Sequence, residues 1–135
     1  VEFKQELTKF LTDMGYDVEN YGTDTTDRTD YTTYGFKVGE AVRDKKVDFG
    51  IAICGSAIGI SIACNKVKGV RCAKVNFIKE AVVTRKDNDS NVVAISGEMN
   101  EERALRIVEE FLNTEFTKEE RHIKRINQIR DYENK

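Results

Sequence analysis

Apolar residues recur along the chain with two different periods, which predict helices and strands in alternation. The first apolar set has helical spacing and comprises Phe3, Leu7, Phe10, Leu11 and Met14. Gly15 follows where a glycine commonly ends a helix. Residues 17–21 then carry the weak signature of a short strand, and the polar residues 23–30 predict a loop.

A second helix is predicted after this loop and ends near Lys45 and Lys46. Its apolar face comprises Tyr34, Val38, Ala41 and Val42. Asp30 stands just before the first turn, where an aspartate side chain can accept a hydrogen bond from an unpaired backbone N–H group. We therefore expect Asp30 to cap this helix.

Three apolar runs have the length of buried strands: Phe49–Cys54, Val70–Val75 and Asn91–Ser96. Continuous runs of this kind are typical of parallel strands that are covered on both faces. Helical patterns follow them over residues 60–66, 77–84 and 100–112, and the tail 117–131 is also helical in pattern. Asn100 is the expected cap of its helix, whose inward residues are Leu105, Val108 and Leu112. The tail carries a narrow apolar stripe of Ile123, Ile126 and Ile129.

Strands alternating with helices predict an α/β fold in a single domain, residues 1–135. We expect a doubly wound, Rossmann-like parallel sheet with helices on both faces and a C-terminal helical tail. Ligands of such sheets bind at the carboxyl ends of the strands. The candidate positions are the turn after Cys54, the loop after Val75 and the loop around Gly97.

Composition narrows the classes of function. The chain has 135 residues with 39% hydrophobic and 34% charged residues, which is ordinary for one globular domain. No apolar run approaches the roughly 20 residues of a membrane-spanning helix. The net charge of −2 gives no indication of a nucleic acid or a membrane surface as partner. The three cysteines, Cys54, Cys64 and Cys72, lack metal-ligand spacing, so we expect free thiols in the reducing cytoplasm and no metal site.

The segment Cys54–Ser61 carries the most chemical information. A cysteine ends a buried strand, small residues form a turn, and a helix begins. Backbone N–H groups in such a turn, with a helix N-terminus behind them, stabilise negative charge and favour the thiolate form of a cysteine. The spacing fits a buried structural cysteine equally well. It lacks the Gly-Lys-Ser/Thr of a phosphate loop and a complete dinucleotide fingerprint.

The wider string resembles a known family. Residues 50–71, GIAICGSAIGISIACNKVKGVR, resemble the signature of type B ribose-5-phosphate isomerases and their galactose-6-phosphate isomerase relatives. Further matching segments follow in the same order: DRTDY at 27–31, NDSNV at 88–92, and Arg121-His122 with Arg125. The resemblance implies a doubly wound enzyme that needs no cofactor and forms a homodimer, or a dimer of dimers, with active sites shared between subunits.

The resemblance also implies roles for the turn. Cys54 matches the cysteine that moves a proton between neighbouring carbons of the sugar through an enediolate. Backbone amides between Gly55 and Gly59, with the hydroxyl of Ser56, would stabilise the developing oxyanion. Ser61 would contact or orient Cys54. Ala57 stands where relatives more often have glycine, and its Cβ would crowd the turn if the position requires a positive φ.

Binding residues carry over from the same resemblance. Arg121 and Arg125 match the pair that holds the substrate phosphate, and their i, i+4 spacing puts both on one helix face. A solvated basic face is the alternative that spacing alone favours. Arg28 would join the phosphate site. Tyr31 matches a residue that lines the sugar pocket, and Asn88 matches an asparagine that hydrogen-bonds the sugar.

The chain departs from the family pattern at several positions. Asp87 stands where ribose-specific relatives have a histidine that opens the furanose ring, and an aspartate is a weaker base near neutral pH. Glu98 stands where many relatives have an arginine. The only histidine, His122, is expected on the surface of the tail. The family's first strand, which ends in Asp-His, has no match here, and we expect that strand to precede Val1.

The leading hypothesis is an isomerase that interconverts ribose 5-phosphate and ribulose 5-phosphate. A hexose 6-phosphate, of galactose or allose, is an alternative substrate because galactose-specific relatives also lack the ring-opening histidine. A non-catalytic sugar-phosphate-binding subunit is a third hypothesis, suggested by Asp87, Glu98 and the unmatched first strand. A nucleotide-binding domain fits the fold alone, and fold does not determine function.

Overall fold

The computed structural model describes residues 2–22 and 30–135. Helices alternate with strands over most of this length. The helices are α1 (Glu2–Asp13), α2 (Tyr31–Arg43), α3 (Ile58–Asn65), α4 (Ile78–Asn88), α5 (Glu101–Asn113) and α6 (Glu120–Glu133). The strands are β1 (Gly50–Cys54), β2 (Cys72–Lys74) and β3 (Val92–Ser96). The predicted α/β class is confirmed.

The strands form one parallel sheet in the order β1-β3-β2. The register pairs Gly50 with Val92 where the strands begin, which we call the amino edge of the sheet. It pairs Cys54 with Ser96 where the strands end, which we call the carboxyl edge. Each helix that follows a strand runs back antiparallel to it, so its first turn lies at the carboxyl edge of the sheet and its last turn at the amino edge. This rule decides where the candidate functional residues lie.

Side chains of β3 alternate between two hydrophobic cores because successive residues of a strand point to opposite faces. Val93 and Ile95 belong to a core with α1, α4 and α5, where Phe111 and Ile107 are fully buried. Val92 and Ala94 belong to a second core with α2 and α3. Helices on both faces make the sheet doubly wound, as the sequence predicts.

Two predicted details are wrong and one is modified. Residues 17–21 form no strand, because none of the described strands offers them a hydrogen-bonding partner. Asp30 occupies the N-cap position of α2 without a side-chain capping hydrogen bond. In α5, Leu105 and Leu112 are only partly buried, and the buried face is formed by Ala104, Ile107, Val108 and Phe111. Asn100 does cap α5, since its side chain accepts from the Arg103 N–H at 3.0 Å.

The observed helix α4 extends beyond its predicted end at Thr84 to Asn88. Buried Thr84 and Arg85 prolong its packed face, and the αL conformation of Asp89 (φ 46°) ends it. Asp87 and Asn88 therefore lie in the last turn of a helix at the amino edge of the sheet.

Candidate active site

Cys54 ends β1 at the carboxyl edge and is partly buried. Its carbonyl accepts a hydrogen bond from the Gly97 N–H at 2.9 Å, which joins the turn after β1 to the loop after β3. The N-terminus of α3 lies four residues beyond the thiol. These features place Cys54 where a parallel sheet binds its ligands, close to the positive end of a helix.

The turn itself is held by Ser56 and Ala57. The Ser56 hydroxyl accepts from the Ile58 N–H at 3.2 Å, and as an acceptor it keeps its own hydrogen for donation. Ala57 adopts the left-handed conformation, with φ 67°, so this position does require the positive φ that favours glycine. Its methyl group is fully buried in the second core, with α2 and α3. The Cβ therefore points away from the turn and does not crowd it.

Two glycines of the turn have different surroundings. A Cβ on Gly59 would lie 2.6 Å from Cζ of Tyr31, so the glycine allows the Tyr31 ring to lie against the start of α3. A Cβ on Gly55 would meet nothing within 4 Å, which leaves open space beside Cys54. Tyr31 itself is 43% exposed, as a residue lining an open pocket would be. Ser61 donates its hydroxyl to the Ile58 carbonyl at 2.7 Å, and its predicted contact with Cys54 stays a prediction.

Ser96 links the two loops at the carboxyl edge and was missed by sequence reasoning. Its hydroxyl donates to the Gly55 carbonyl and accepts from the Glu98 N–H at 3.1 Å. The sequence did contain a signal for Ser96: it ends the third apolar run, and the ends of neighbouring parallel strands lie side by side. The register accordingly places Ser96 beside Cys54. Glu98 is exposed at the same edge.

Asp87 and Asn88 lie at the opposite edge of the sheet. The Asn88 carbonyl accepts from Nε of Arg71 at 2.9 Å, and Arg71 immediately precedes β2. The Asn88 side chain accepts from the Thr84 hydroxyl at 3.1 Å. The five-residue strand β1 and the 11-residue helix α4 each span on the order of 15 Å. Asp87 and Cys54 of one chain are therefore separated by roughly the height of the sheet.

The arginine pair shares the amino edge with Asp87. Helix α6 is anchored there at both ends, by His122 near Asp87 and by the Glu133 carboxylate, which accepts from the Gly69 N–H at 3.1 Å. Arg121 and Arg125 are both exposed on α6. Arg121 lies 3.5 Å from Glu119, and 66% of its side chain is exposed. Arg28 lies outside the described residues.

His122 is buried, contrary to the expectation of a surface histidine. It is 6% exposed, and its Nε2 atom lies 3.4 Å from carboxylate oxygens of both Asp87 and Glu119. Helical periodicity could have indicated this, because Ile126 lies one turn further on the same face and is also buried. The apolar stripe predicted for the tail is only partly covered, since Ile123 and Ile129 are exposed.

The three cysteines are free thiols in the structure. Cys64 is fully buried, and its Sγ lies 3.4 Å from the Gly35 carbonyl. A hydrogen bond with Cys64, together with burial, raises the pKa of Cys72 far above its usual range. Cys72 also begins β2, so it lies at the amino edge, away from Cys54 and the turn that follows Cys54.

Other classes of site find no support in the described part of the chain. Its acidic, histidine and cysteine side chains nowhere gather in a group of three or more that would hold a metal ion. Over residues 2–22 and 30–135, no helix combines the length and the apolar character needed to cross a bilayer.

The doubly wound fold, the thiol of Cys54 before its turn and the exposed arginine pair on α6 agree with the sugar-phosphate isomerase class that the sequence predicts. A family model described as Ribose/Galactose Isomerase matches residues 1–129. The chain belongs to this family.

Individual relatives agree with this assignment. The chain is 37% identical over 127 residues to ribose-5-phosphate isomerase B of Escherichia coli, covering 93% of this chain and 85% of that one. The solved structure of Clostridium thermocellum ribose-5-phosphate isomerase B matches with a TM-score of 0.95 at 39% identity, over 98% of this chain and 90% of the other. The Mycoplasma genitalium enzyme, solved with bound ribulose-5-phosphate, matches with a TM-score of 0.94 at 32% identity, over 100% and 90%.

Proposed function

We propose that the chain interconverts ribose 5-phosphate and ribulose 5-phosphate, with Cys54 as the base. The observation that carries the proposal is the position of Cys54 at the carboxyl end of β1, beside the Gly55–Gly59 turn and the start of α3. Two of the similar structures described above are ribose-5-phosphate isomerases B, and one of them holds ribulose-5-phosphate. The cytoplasm is the expected location of the enzyme.

The proposed reaction is a proton transfer between carbons 2 and 1 of the open-chain sugar. The Cys54 thiolate removes the proton from carbon 2, and the electron pair moves toward the aldehyde oxygen to give an enediolate. The thiol then returns the proton to carbon 1, while the proton of the carbon-2 hydroxyl passes to the oxygen on carbon 1, which yields the ketose. Turn amides and the Ser56 hydroxyl stabilise the oxyanion while it exists. The reaction requires no cofactor.

We infer further that a second copy of the chain completes each active site. Cys54 and Tyr31 lie at the carboxyl edge of the sheet, whereas Asp87, Asn88 and the arginine pair lie at the amino edge. One sugar phosphate cannot touch both groups in a single chain, because the sheet separates them by on the order of 15 Å. A homodimer, alone or paired with a second dimer, would set the amino edge of one subunit against the carboxyl edge of the other.

In this arrangement Arg121 and Arg125 bind the phosphate and Asn88 hydrogen-bonds the sugar of the partner's site. Exposure of both arginines on α6 supports the assignment, since a phosphate needs access to their guanidinium groups. Arg28 is assigned to the same phosphate site by resemblance alone. Ser61 and Gly59 shape the turn that receives the sugar.

The decisive variant is Cys54→Ala. We expect its turnover of ribose 5-phosphate to fall at least about 10²-fold, because the loss of a general base typically costs this much, while binding of the sugar phosphate persists. Turnover is followed by the appearance of the ketose, and binding by calorimetry. Cys72→Ala is the matched control, since it removes a thiol outside the site and should remain active. Near-normal turnover by Cys54→Ala would contradict the assignment.

A hexose 6-phosphate is the second candidate substrate. Asp87 favours it, since galactose-specific relatives also lack the histidine that ribose-specific relatives have at this position. Initial rates on ribose, allose and galactose phosphates, measured side by side, distinguish the two. Binding without exchange of the carbon-2 proton into solvent would instead identify a non-catalytic subunit.

A further inference from the structure

The imidazole of His122 is buried although one of its two ring nitrogens is unpaired in the described part of the chain. Within the described residues, its Nε2 atom has no hydrogen-bond partner although the residue is only 6% exposed. A buried polar atom that is left unpaired destabilises the fold, because no hydrogen bond offsets the loss of its contact with water. Its presence in a native protein needs an explanation, and a catalytic role is one.

Two carboxylates face this nitrogen from different elements. Oδ1 of Asp87, in the last turn of α4, and Oε2 of Glu119, just before α6, each lie 3.4 Å from Nε2. Neither oxygen has hydrogen-bonding geometry in the ligand-free protein. Catalytic hydrogen bonds are often long before substrate binds and shorten in the complex.

The two carboxylates differ in their other contacts. Glu119 Oε2 also lies 3.5 Å from Nη2 of Arg121 and accepts a 3.5 Å hydrogen bond from the Thr117 hydroxyl. Asp87 forms no other ion pair or side-chain hydrogen bond with the described residues. Its side chain is 43% exposed, so it can contact a ligand on one side and His122 on the other.

We propose that Asp87 and His122 form a coupled pair that opens the furanose ring of the substrate. The inference rests on the proposed function, since only a cyclic sugar requires this step. Asp87 is the residue that contacts the sugar, and His122 is a positioning residue that acts through it. An isolated carboxylate is a weak base near pH 7, whereas an imidazole exchanges protons in that range. A hydrogen bond between Nε2 of His122 and Oδ1 of Asp87, which lie 3.4 Å apart before substrate binds, would let the imidazole orient the carboxylate and pass protons through it.

The step is balanced without any further reactant. Asp87 removes the proton of the anomeric hydroxyl, and that oxygen forms a double bond to carbon 1. The bond between carbon 1 and the ring oxygen breaks, and the ring oxygen takes up a proton from the pair. The products are the open-chain aldehyde and a pair in its original protonation state.

The test uses the full-length enzyme with ribose 5-phosphate and varies enzyme concentration. An enzyme that cannot open the ring consumes only the aldehyde that forms spontaneously in solution. For His122→Gln and Asp87→Asn we expect kcat/KM to fall about 10²-fold. We also expect the rate of each to reach a plateau as enzyme concentration increases. The plateau should be the same for both variants because it is a property of the sugar.

The wild-type rate should stay proportional to enzyme concentration. Glu119→Gln is the matched control, because Glu119 lies as close to His122 as Asp87 does, and it should behave as wild type. Asp87→His would place an imidazole at the sugar directly, so adding His122→Gln to it should have little effect. Asp87 is half-exposed, so its variants remain informative if His122→Gln fails to fold.

Proportional rates for Asp87→Asn over the whole concentration range would overturn the inference, as would a plateau for Glu119→Gln. If Cys54→Ala is inactive while Asp87→Asn and His122→Gln match the wild type, only this inference fails. If the wild type turns over no sugar phosphate, the proposed function fails with it.

Discussion

Arg85 illustrates how a single buried charge is stabilised in this fold. Its side chain is 8% exposed, and Nη1 donates to the Asp89 carboxylate and to the Ser90 carbonyl, both at 2.8 Å. Its Nε donates to the Thr114 carbonyl at 3.1 Å, and its guanidinium carbon lies 4.9 Å from the centre of the Phe49 ring. The end of α4 and the segment after α5 are therefore joined through one side chain.

Replacing Arg85 tests how much this contact contributes. We expect Arg85→Met to lower the free energy of unfolding by about 2–4 kcal/mol, because two carbonyls and a carboxylate lose their donor. Urea denaturation measures the change. Arg106→Met is the control: its ion pair with Glu109 is 3.5 Å long and its side chain is 54% exposed, so the change should stay within about 0.5 kcal/mol. Equal effects of the two substitutions would contradict this account.

At the residue scale, sequence reasoning worked where a residue's setting is local. The surroundings of Cys54 follow from the strand, turn and helix that adjoin it in sequence. The setting of His122 does not, because the carboxylate of Asp87 reaches it across 35 positions of chain and through the packing of two helices. Ser96 was missed for a similar reason, since its hydroxyl donates to the Gly55 carbonyl in the turn that follows another strand, β1.

At the scale of elements, α2 and α3 pack closely because α2 presents glycines to its neighbour. A Cβ on Gly39 would lie 2.8 Å from Cγ2 of Val67, and one on Gly35 would lie 2.9 Å from Cβ of Ala63. Both glycines are buried on the face that meets α3. This contact holds the first turn of α2, with Tyr31, next to the turn after Cys54.

The substitution Gly39→Ala has two opposing effects on stability, one through helix propensity and one through packing. Alanine in a helix interior gains about 1 kcal/mol over glycine, whereas overpacking costs about 1–3 kcal/mol. We expect net destabilisation of about 1 kcal/mol, read from urea or thermal unfolding. Thr33→Ala, an exposed change in the same helix, should be neutral or slightly stabilising. A more stable Gly39→Ala protein would show that α3 moves away without cost.

The number, order and type of the main helices and strands could be predicted from periodicity, and some element boundaries could not. Helix α4 runs to Asn88 because Arg85 and Thr84 are buried by tertiary contacts that no local pattern reveals. The strand expected at 17–21 did not form, because its local pattern was not supported by a tertiary partner. Strand formation requires a neighbouring strand, and none of the described strands pairs with that segment.

At the scale of the whole molecule, the candidate site is divided between opposite edges of the sheet. Mixing two inactive variants tests the proposed sharing. Cys54→Ala damages the carboxyl-edge group, and Arg121→Ala with Arg125→Ala damages the amino-edge group. Each homodimer should be nearly inactive, whereas a mixed dimer contains one site with both groups intact.

Random re-association of equal amounts should therefore recover about a quarter of the wild-type activity, since half of the dimers are mixed and each has one good site of two. Activity is measured after dissociation and refolding together, with separately refolded variants as the control. No recovery in mixed samples that contain dimers would contradict a shared site.

The division of the site has a consequence for how the enzyme responds to its own abundance. A site built within one chain works at any dilution, whereas a site built between two chains exists only while they are associated. Under the proposed assembly, the number of working sites rises with the square of protomer concentration well below the dissociation constant. Each newly made chain would then remain inactive until it associates with another chain. Activity would therefore not be proportional to expression level at low abundance.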